Sequence, residues 1–435
     1  MKIQKIGLHT ATALVISNMI GTGVFTSLGY QVLNLSNTYT LLLLWLLGGL
    51  MALTGAFIYS ELAAYHKQSG GDYLYLSNTF HPIMGYLSSW VSLWVGFSAP
   101  VTLAALAMWS YLNIFGWNLG KGFAACIIAL LALFQSFNLS LSSGFQNIST
   151  LVKLLFIVGL IGLGLTVAPV HSLHHLDYSS AWKDEIAMPA FAVALVYVSF
   201  AYTGWNSASY IYEEIKVPEK NLPKALIGGV GFVTIAYILL NFIFLKHASL
   251  EQLRGKEEVA NIAFGTFLSE DLVKWISFFI GLQLLATMSG YLWIGSRLSQ
   301  ATAKNHYLWS FMKTTNRRNI PVRAVWVHAG ISIALLFTGN FESVFTYTAF
   351  TLQLLATAAV STALFIPKSK LIIIRGSIFY LLPVTFLMFS FYICYFVWSE
   401  KPKESGIGLS IIVVGLVLYA LDRKCTKKAA SRTQQ

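Results

Sequence analysis

Apolar residues gather in long runs separated by short polar segments, and the run lengths recur along the chain. They fall at about residues 8–29, 40–65, 82–112, 122–140, 148–170, 187–212, 225–246, 272–298, 323–340, 343–366, 371–398 and 406–421. Each approaches or exceeds the roughly 20 residues that carry a helix across hydrocarbon, so the pattern predicts twelve membrane-spanning helices.

The first run does not read as a plain span. Ser17-Asn18-Met19-Ile20-Gly21-Thr22-Gly23-Val24-Phe25 puts a Gly-Thr-Gly near its middle, where a helix is weakened. Lipid cannot satisfy broken backbone, so such a break is tolerated only where protein or a water-filled cavity receives the freed groups. A second break, Val198-Ser199-Phe200-Ala201-Tyr202-Thr203-Gly204-Trp205-Asn206, lies inside the sixth run. If spans 1–5 (about 8–170) and 6–10 (about 187–366) are repeats, each break sits in the first span of its copy. An odd number of spans inverts the second copy, the pattern of a transporter whose site lies between inverted repeats. Glycines in membrane helices also serve close packing, but neither break has GxxxG spacing and both lie in polar clusters.

Helix ends dictate what such a pair would bind. Unwinding at Gly21–Gly23 leaves the N–H groups of Gly21, Thr22, Gly23 and Val24 at the positive end of the following half-helix, a cradle for a carboxylate. The preceding half-helices end near Met19–Ile20 and Phe200–Thr203 and offer carbonyls to an ammonium group. The simplest ligand with both charges is an amino acid.

Composition agrees with a polytopic membrane protein: of 435 residues 56% are hydrophobic and 11% charged, with mean hydropathy +0.66. No soluble domain is expected; residues 1–435 form a single transmembrane unit. Placing both termini inside gives inner loops Lys2, Lys5, Lys67, Lys216, Lys220, Lys224, Arg297, Lys304, Lys313, Arg317, Arg318, Arg323, Lys368, Lys370, Arg375 and the tail cluster from Arg423 to Arg432. The outer loops then hold Lys121, Lys183, Lys246, Arg254, Lys256, Lys274, Lys401 and Lys403. That asymmetry predicts cytoplasmic termini and accounts for the net charge of +12 without nucleic acid. Cys126 and Cys394 fall in spans and Cys425 in the tail, so neither a disulfide framework nor a metal spacing is expected. His171, His174 and His175 cluster in an outer loop without a carboxylate or thiol at ligand spacing. No cofactor and no metal are expected.

The strings Ile20–Phe25, Tyr59-Ser60-Glu61-Leu62 running into Ser69-Gly70-Gly71-Asp72-Tyr73-Leu74-Tyr75-Leu76, Phe200–Asn206, Tyr212–Ala225 and Ser296-Arg297-Leu298 resemble the amino acid–polyamine–organocation (APC) superfamily. They are most similar to the L-type amino acid transporters and their bacterial relatives. The resemblance implies an all-α LeuT-type fold: a 5+5 inverted repeat plus two further helices at about 371–421, twelve transmembrane helices in all. Carried over by position, it implies a carboxylate site at Gly21, Thr22 and Gly23 and amino-group acceptors at Met19, Ile20, Phe200 and Ala201, with Tyr202, Thr203 and Gly204 beside them. Phe200 matches the aromatic gate closing over the substrate from outside. At Thr203 many relatives have Gly, and branches that take cationic amino acids carry an acid there. An uncharged hydroxyl provides no partner for a buried cation, so neutral substrates are favoured, small or polar ones slightly. Trp94, Trp109 and Trp293 offer the material of a larger pocket.

Lys153 is the one basic residue inside a span, about a turn into the fifth helix if that helix starts near Ile148. It either snorkels to the interface or, as the resemblance implies, replaces a coupling Na⁺. In the second case it would meet a carbonyl near Ser17 or Asn18 and a hydroxyl on the eighth span, Thr287 first and Ser289 next. Sodium dependence is then not expected, while exchange, facilitated diffusion and proton symport stay open. Glu61 pairs with an inner-gate base or faces headgroups; Glu213 and Glu214 latch the inner side or are solvated. The L-type light chains join a single-span partner through a Cys between spans 3 and 4, and Tyr111–Lys121 contains none. A transporter working without that disulfide-linked heavy chain is expected, and with its short termini a prokaryotic plasma-membrane protein. An intramembrane enzyme would need a nucleophile with base or an HExxH, and neither occurs in the spans. A membrane amino acid sensor on the same fold would share the binding residues.

Overall fold

The computed structural model describes residues 5–117, 120–137, 139–168, 177–374 and 376–433, with the backbone alone described over 139–149 and 427–433. His171, His174, His175, Lys2 and Arg375 lie outside the described residues. Among the described residues the architecture is all helical, with only two isolated parallel bridges, Ile6 with Ile215 and Asn37 with Asp177.

The helices are α1 (Leu8–Met19), α2 (Thr22–Gln31), α3 (Thr38–His66), α4 (Gly71–Thr79), α5 (Pro82–Val91), α6 (Ala99–Leu112), α7 (Lys121–Phe137), α8 (Leu139–Thr166) and α9 (Trp182–Ala187). They continue as α10 (Pro189–Ala201), α11 (Pro218–His247), α12 (Leu250–Leu253), α13 (Val259–Gly265), α14 (Glu270–Ala303), α15 (Val322–Thr338), α16 (Phe341–Ser361), α17 (Leu381–Glu400) and α18 (Pro402–Thr433). Among the described residues, eight helical stretches are long and apolar enough to cross a membrane, and four shorter apolar helices, Lys121–Phe137, Thr150–Thr166, Pro189–Ala201 and Val322–Thr338, occupy the remaining runs.

Local chemistry starts and stops these elements. Prolines 82, 189 and 218 stand in the first turns of α5, α10 and α11, where a missing N–H costs nothing. Asn37 and Asn340 cap α3 and α16 by accepting the N–H groups of Tyr39 and Ser343. Between α5 and α6 the chain forms a π-helical stretch, Ser92–Ser98, where Ser98 Oγ donates to Leu93 O at 2.7 Å. There the buried His328 ring lies 3.0 Å from Ser98 Oγ and 2.9 Å from Ser299 Oγ, tying the stretch to α14 and α15.

Three differences from the sequence reading matter. α8 begins at Leu139, so Lys153 stands at mid-helix rather than a turn from its start; no proline interrupts the serine-rich stretch before Ile148, and a helix satisfies its own backbone there. α10 stops at Ala201 and continues as a 3₁₀ segment, Ser207–Glu214, in place of one interrupted span to residue 212. α17 starts at Leu381 and α18 reaches Thr433, displaced from the expected 371–398 and 406–421. In the bundle, α11 packs along α1 and α3, α10 meets α2, α16 and α17, and α14 meets α6 and α15. We call the face carrying Ile6 and Lys67 the lower face and the opposite one the upper.

Candidate substrate site at two broken helices

α1 ends at Met19, Ile20 is extended (φ −75°, ψ 101°), Gly21 turns the chain at φ −142°, ψ −146°, and α2 starts at Thr22. No side chain caps that start, so the leading N–H groups of α2 face the break at the positive end of the half-helix. Gly23 is required by proximity: a Cβ there would stand 2.4 Å from the Ala201 Cα.

The second break closes against the first. Thr203 donates both its N–H (2.9 Å) and its hydroxyl (2.7 Å) to Phe200 O, tightening the end of α10. Gly204 then takes φ +96°, and a Cβ on it would lie 2.7 Å from Asn18 O. Thus Gly23 rests on Ala201 and Gly204 on Asn18, so the two unwound stretches cross in direct contact.

Two side chains from other helices hold the crossing. The Tyr237 hydroxyl of α11 lies 2.7 Å from Met19 O and 3.1 Å from Ala201 O, spanning both breaks. Lys153 of α8, only 3% exposed, donates from Nζ to Ile20 O (2.7 Å), Ser17 O (3.3 Å) and Thr287 Oγ1 (3.3 Å). Met19, Ile20, Phe200 and Ala201 carbonyls therefore each already have a donor, and a ligand ammonium would use their second lone pairs.

On the upper side the breaks are covered. Phe200 packs edge-on against Phe345 (4.9 Å between centroids), Tyr197 stacks on Phe345 and Tyr30 on Phe341. Above them the connector carrying α12 and α13 is tied down: Gly255 N–H donates to Gly29 O, Ala260 N–H to Tyr111 Oη, and Tyr111 Oη–H to Phe25 O. The Glu257 carboxylate accepts from Ser110 Oγ (2.7 Å) and Tyr30 Oη (3.3 Å). Burial pushes that carboxyl above the usual glutamate range, with Glu258 adding to the rise against the hydrogen bonds from Ser110 and Tyr30. Beside the end of α10 lies a small pocket of about 50 Å³ bounded by α3, α16 and α17, with Phe200, Thr203, Gln353 and Phe386 in its wall.

Several expected residues stand elsewhere. Asn18 supplies packing against Gly204, whereas the neighbouring Ser17 and Ile20 carbonyls receive Lys153. Ser289 accepts from Gln135 Nε2 at 3.0 Å, leaving Thr287 at the lysine. The Tyr202 hydroxyl turns away to Trp45 O. Trp94, Trp109 and Trp293 do not line the space beside α10. Glu61 is fully buried and accepts the N–H groups of Ile372, Ile373 and Ile374, which turns it from the headgroups, and among the described residues no base pairs with it. Tyr237 escaped sequence reading because nothing separates it from the other twenty of the 21 tyrosines.

Comparison with known proteins places this geometry in a family. The family model described as "Amino acid permease" matches residues 6–421. The mouse large neutral amino acids transporter small subunit 2 is 27% identical over 430 residues, covering 96% of this chain and 81% of its own. The mouse Asc-type amino acid transporter 1 is 27% identical over 439 residues, with 96% and 81% covered. The rabbit b(0,+)-type amino acid transporter 1 is 27% identical over 355 residues, with 80% and 72% covered. With its many apolar helices and its two breaks in contact, the chain belongs to the amino acid permease family, multi-pass membrane transporters of amino acids rather than enzymes.

Proposed function

We propose that this protein carries neutral L-amino acids across the membrane without sodium, by exchange, with the substrate held where α1–α2 and α10 break. The crossing of the two breaks carries the proposal: uncapped N–H groups at Gly21–Val24 take the carboxylate, and the carbonyls of Met19, Ile20, Phe200 and Ala201 take the ammonium. Phe200 covers the substrate, and the space by Thr203 and Gln353, which offers polar atoms but no charge, takes its side chain. The relatives, a large neutral amino acids transporter among them, support the substrate class.

Sodium independence rests on Lys153. A fixed ammonium among Ser17 O, Ile20 O and Thr287 Oγ1 leaves no vacancy for a cation. A second reading, proton-coupled symport through Lys153, is favoured by one observation: among the described residues no carboxylate pairs with it.

The arrangement proposed is LeuT-type, with repeats at about 8–170 and 187–366, two further helices at about 371–421, and alternating access around the breaks. The lower face is assigned to the cytoplasm by its excess of Lys and Arg; with no Cys in Tyr111–Lys121, no disulfide-linked heavy chain takes part and the membrane is the plasma membrane of a prokaryote. The test is uptake of a labelled amino acid panel into liposomes, with Na⁺, pH gradient and internal substrate varied separately. Uptake accelerated by internal neutral amino acids and indifferent to Na⁺ is expected. A strict Na⁺ requirement would sink the proposal, and acceleration by a proton gradient alone would select symport.

A further inference from the structure

We propose that Asp72 is a positioning residue for transport: it locks the segment below the second break to the α3–α4 connector and so holds the lower path shut. The inference rests on the placement of the substrate at the breaks.

Two segments about 140 residues apart, 67–72 and 210–219, meet on the lower face. At the rim, Lys67 Nζ lies 2.8 Å from Glu219 Oε1, and both side chains are exposed, so this pair contributes little. Next inward, Ser69 and Glu213 bond reciprocally: Ser69 N–H donates to Glu213 Oε2 (3.2 Å) and Glu213 N–H to Ser69 Oγ (3.1 Å). Innermost is Asp72, 6% exposed, whose carboxylate accepts the hydroxyl of Tyr59 from α3, with the Tyr210 phenol of the 3₁₀ segment packed beside it against Gly71. Gly71, at φ +53°, gives Tyr210 room, because a Cβ there would lie 2.5 Å from its ring. No cation pairs with Asp72 among the described residues, so the phenols of Tyr59 and Tyr210 are the polar partners its carboxylate has from these two elements.

A buried carboxylate depends on every donor it has, and charge-assisted bonds are the strong ones. The start of α1 is tied to the same strip, since Ile6 N–H donates to Glu214 O (2.8 Å) and Lys216 N–H to Ile6 O (2.9 Å). Moving α1 or the 3₁₀ segment aside, which opens the lower path, therefore pulls Tyr210 from Asp72. Tyr59 differs, because α3 leads directly into the connector and its bond stays within one unit.

The experiment places a reporter thiol by Asn206→Cys in a background where Cys126, Cys394 and Cys425 are Ser, and measures its alkylation by an impermeant maleimide from the lower side in reconstituted vesicles. Asp72→Asn and Tyr210→Phe should each speed labelling at least threefold, and the double variant should match the faster single one. Tyr59→Phe should leave the rate unchanged. Unchanged labelling in Tyr210→Phe, an additive double variant, or equal acceleration by Tyr59→Phe would each overturn the proposal, the last by reducing Asp72 to fold maintenance. Should Asp72→Asn fail to fold, the contrast between the two Tyr→Phe variants decides alone. Because labelling requires no substrate, a failed uptake assay would count against the substrate placement and leave the clasp standing.

Discussion

The two breaks look alike in sequence and are built differently. The first is short: two residues interrupt the helix, α2 resumes at Thr22, and Lys153 pins the carbonyls on the approaching side. The second does not recover an α-helix; Thr203 folds back onto Phe200 O, Gly204 adopts a left-handed conformation, and a 3₁₀ segment leads to Glu214. An interruption pinned by a buried ammonium is a fixed reference. One capped by its own hydroxyl can change its hydrogen bonds cheaply, which suits the side-chain-reading role proposed for it.

The sharpest way to break the comparison is to push the two stretches apart. Gly204→Ala combines a left-handed φ with a Cβ 2.7 Å from Asn18 O. A cost of about 3 kcal/mol or more is expected from strain and overpacking together, enough to reduce transport roughly a hundredfold at wild-type protein levels. Gly21→Ala is the contrast, since its Cβ would meet only Thr287 Cγ2 at 3.6 Å. Initial uptake rates normalised to surface-expressed protein measure both; equal losses would mean that the second break is no more crowded than the first.

Next in size is the pin itself. Lys153→Ala leaves Ile20 O and Ser17 O without their donor in a buried place, so transport should fall about tenfold or more, equivalent to ~1.4 kcal/mol in the barrier. Some binding should persist, because in the proposed site the carboxylate is held by α2 N–H groups that Lys153 does not touch. Isothermal titration alongside uptake checks this, and unimpaired transport would return Lys153 to a mere occupant of the membrane interior.

Tyr237→Phe removes the one hydroxyl shared by both breaks and should cost ~1–2 kcal/mol, seen as a KM increase of several-fold for every substrate. Thr203→Val deletes the self-cap of the second break alone and should shift selectivity toward apolar side chains while moving Lys153-dependent transport little. A uniform loss across substrates in Thr203→Val would show that both breaks form a single rigid unit.

How much of this could be read beforehand follows from what each residue announces locally. Gly-Thr-Gly inside an apolar run is visible because lipid forbids broken backbone, and Lys153 is visible because charge in a span is rare. Tyr237 carries no such mark: its role depends on two carbonyls, 218 and 36 residues away, that only packing brings together. Glu61 was visible as a titratable group but not as the acceptor of three N–H groups from residues 372–374. The start of α8 lies before the apolar run at about 148–170, because the polar residues ahead of Ile148 carry no break and a helix needs only its own backbone. Local exceptions are legible in sequence, whereas partners supplied by distant backbone are not.

The smallest expected effect concerns the upper cover, the feature both breaks share. Burial holds the Glu257 carboxyl above its ordinary value of 4.5 while the connector is closed on Tyr30 and Ser110. An acid whose pKa is raised in the closed form favours closure when protonated, so that contribution is present below about pH 4.5 and is lost as pH rises through the raised value. Hydrogen exchange of segment 250–268, corrected for intrinsic rates, should therefore show protection declining over that window in the wild type. In Glu257→Gln, which keeps an acceptor for Ser110 and has no proton to lose there, the profile should be flat. If both proteins give the same slope, the pH response of the cover does not come from Glu257, and the breaks are covered by packing of Phe200, Tyr197 and Phe345.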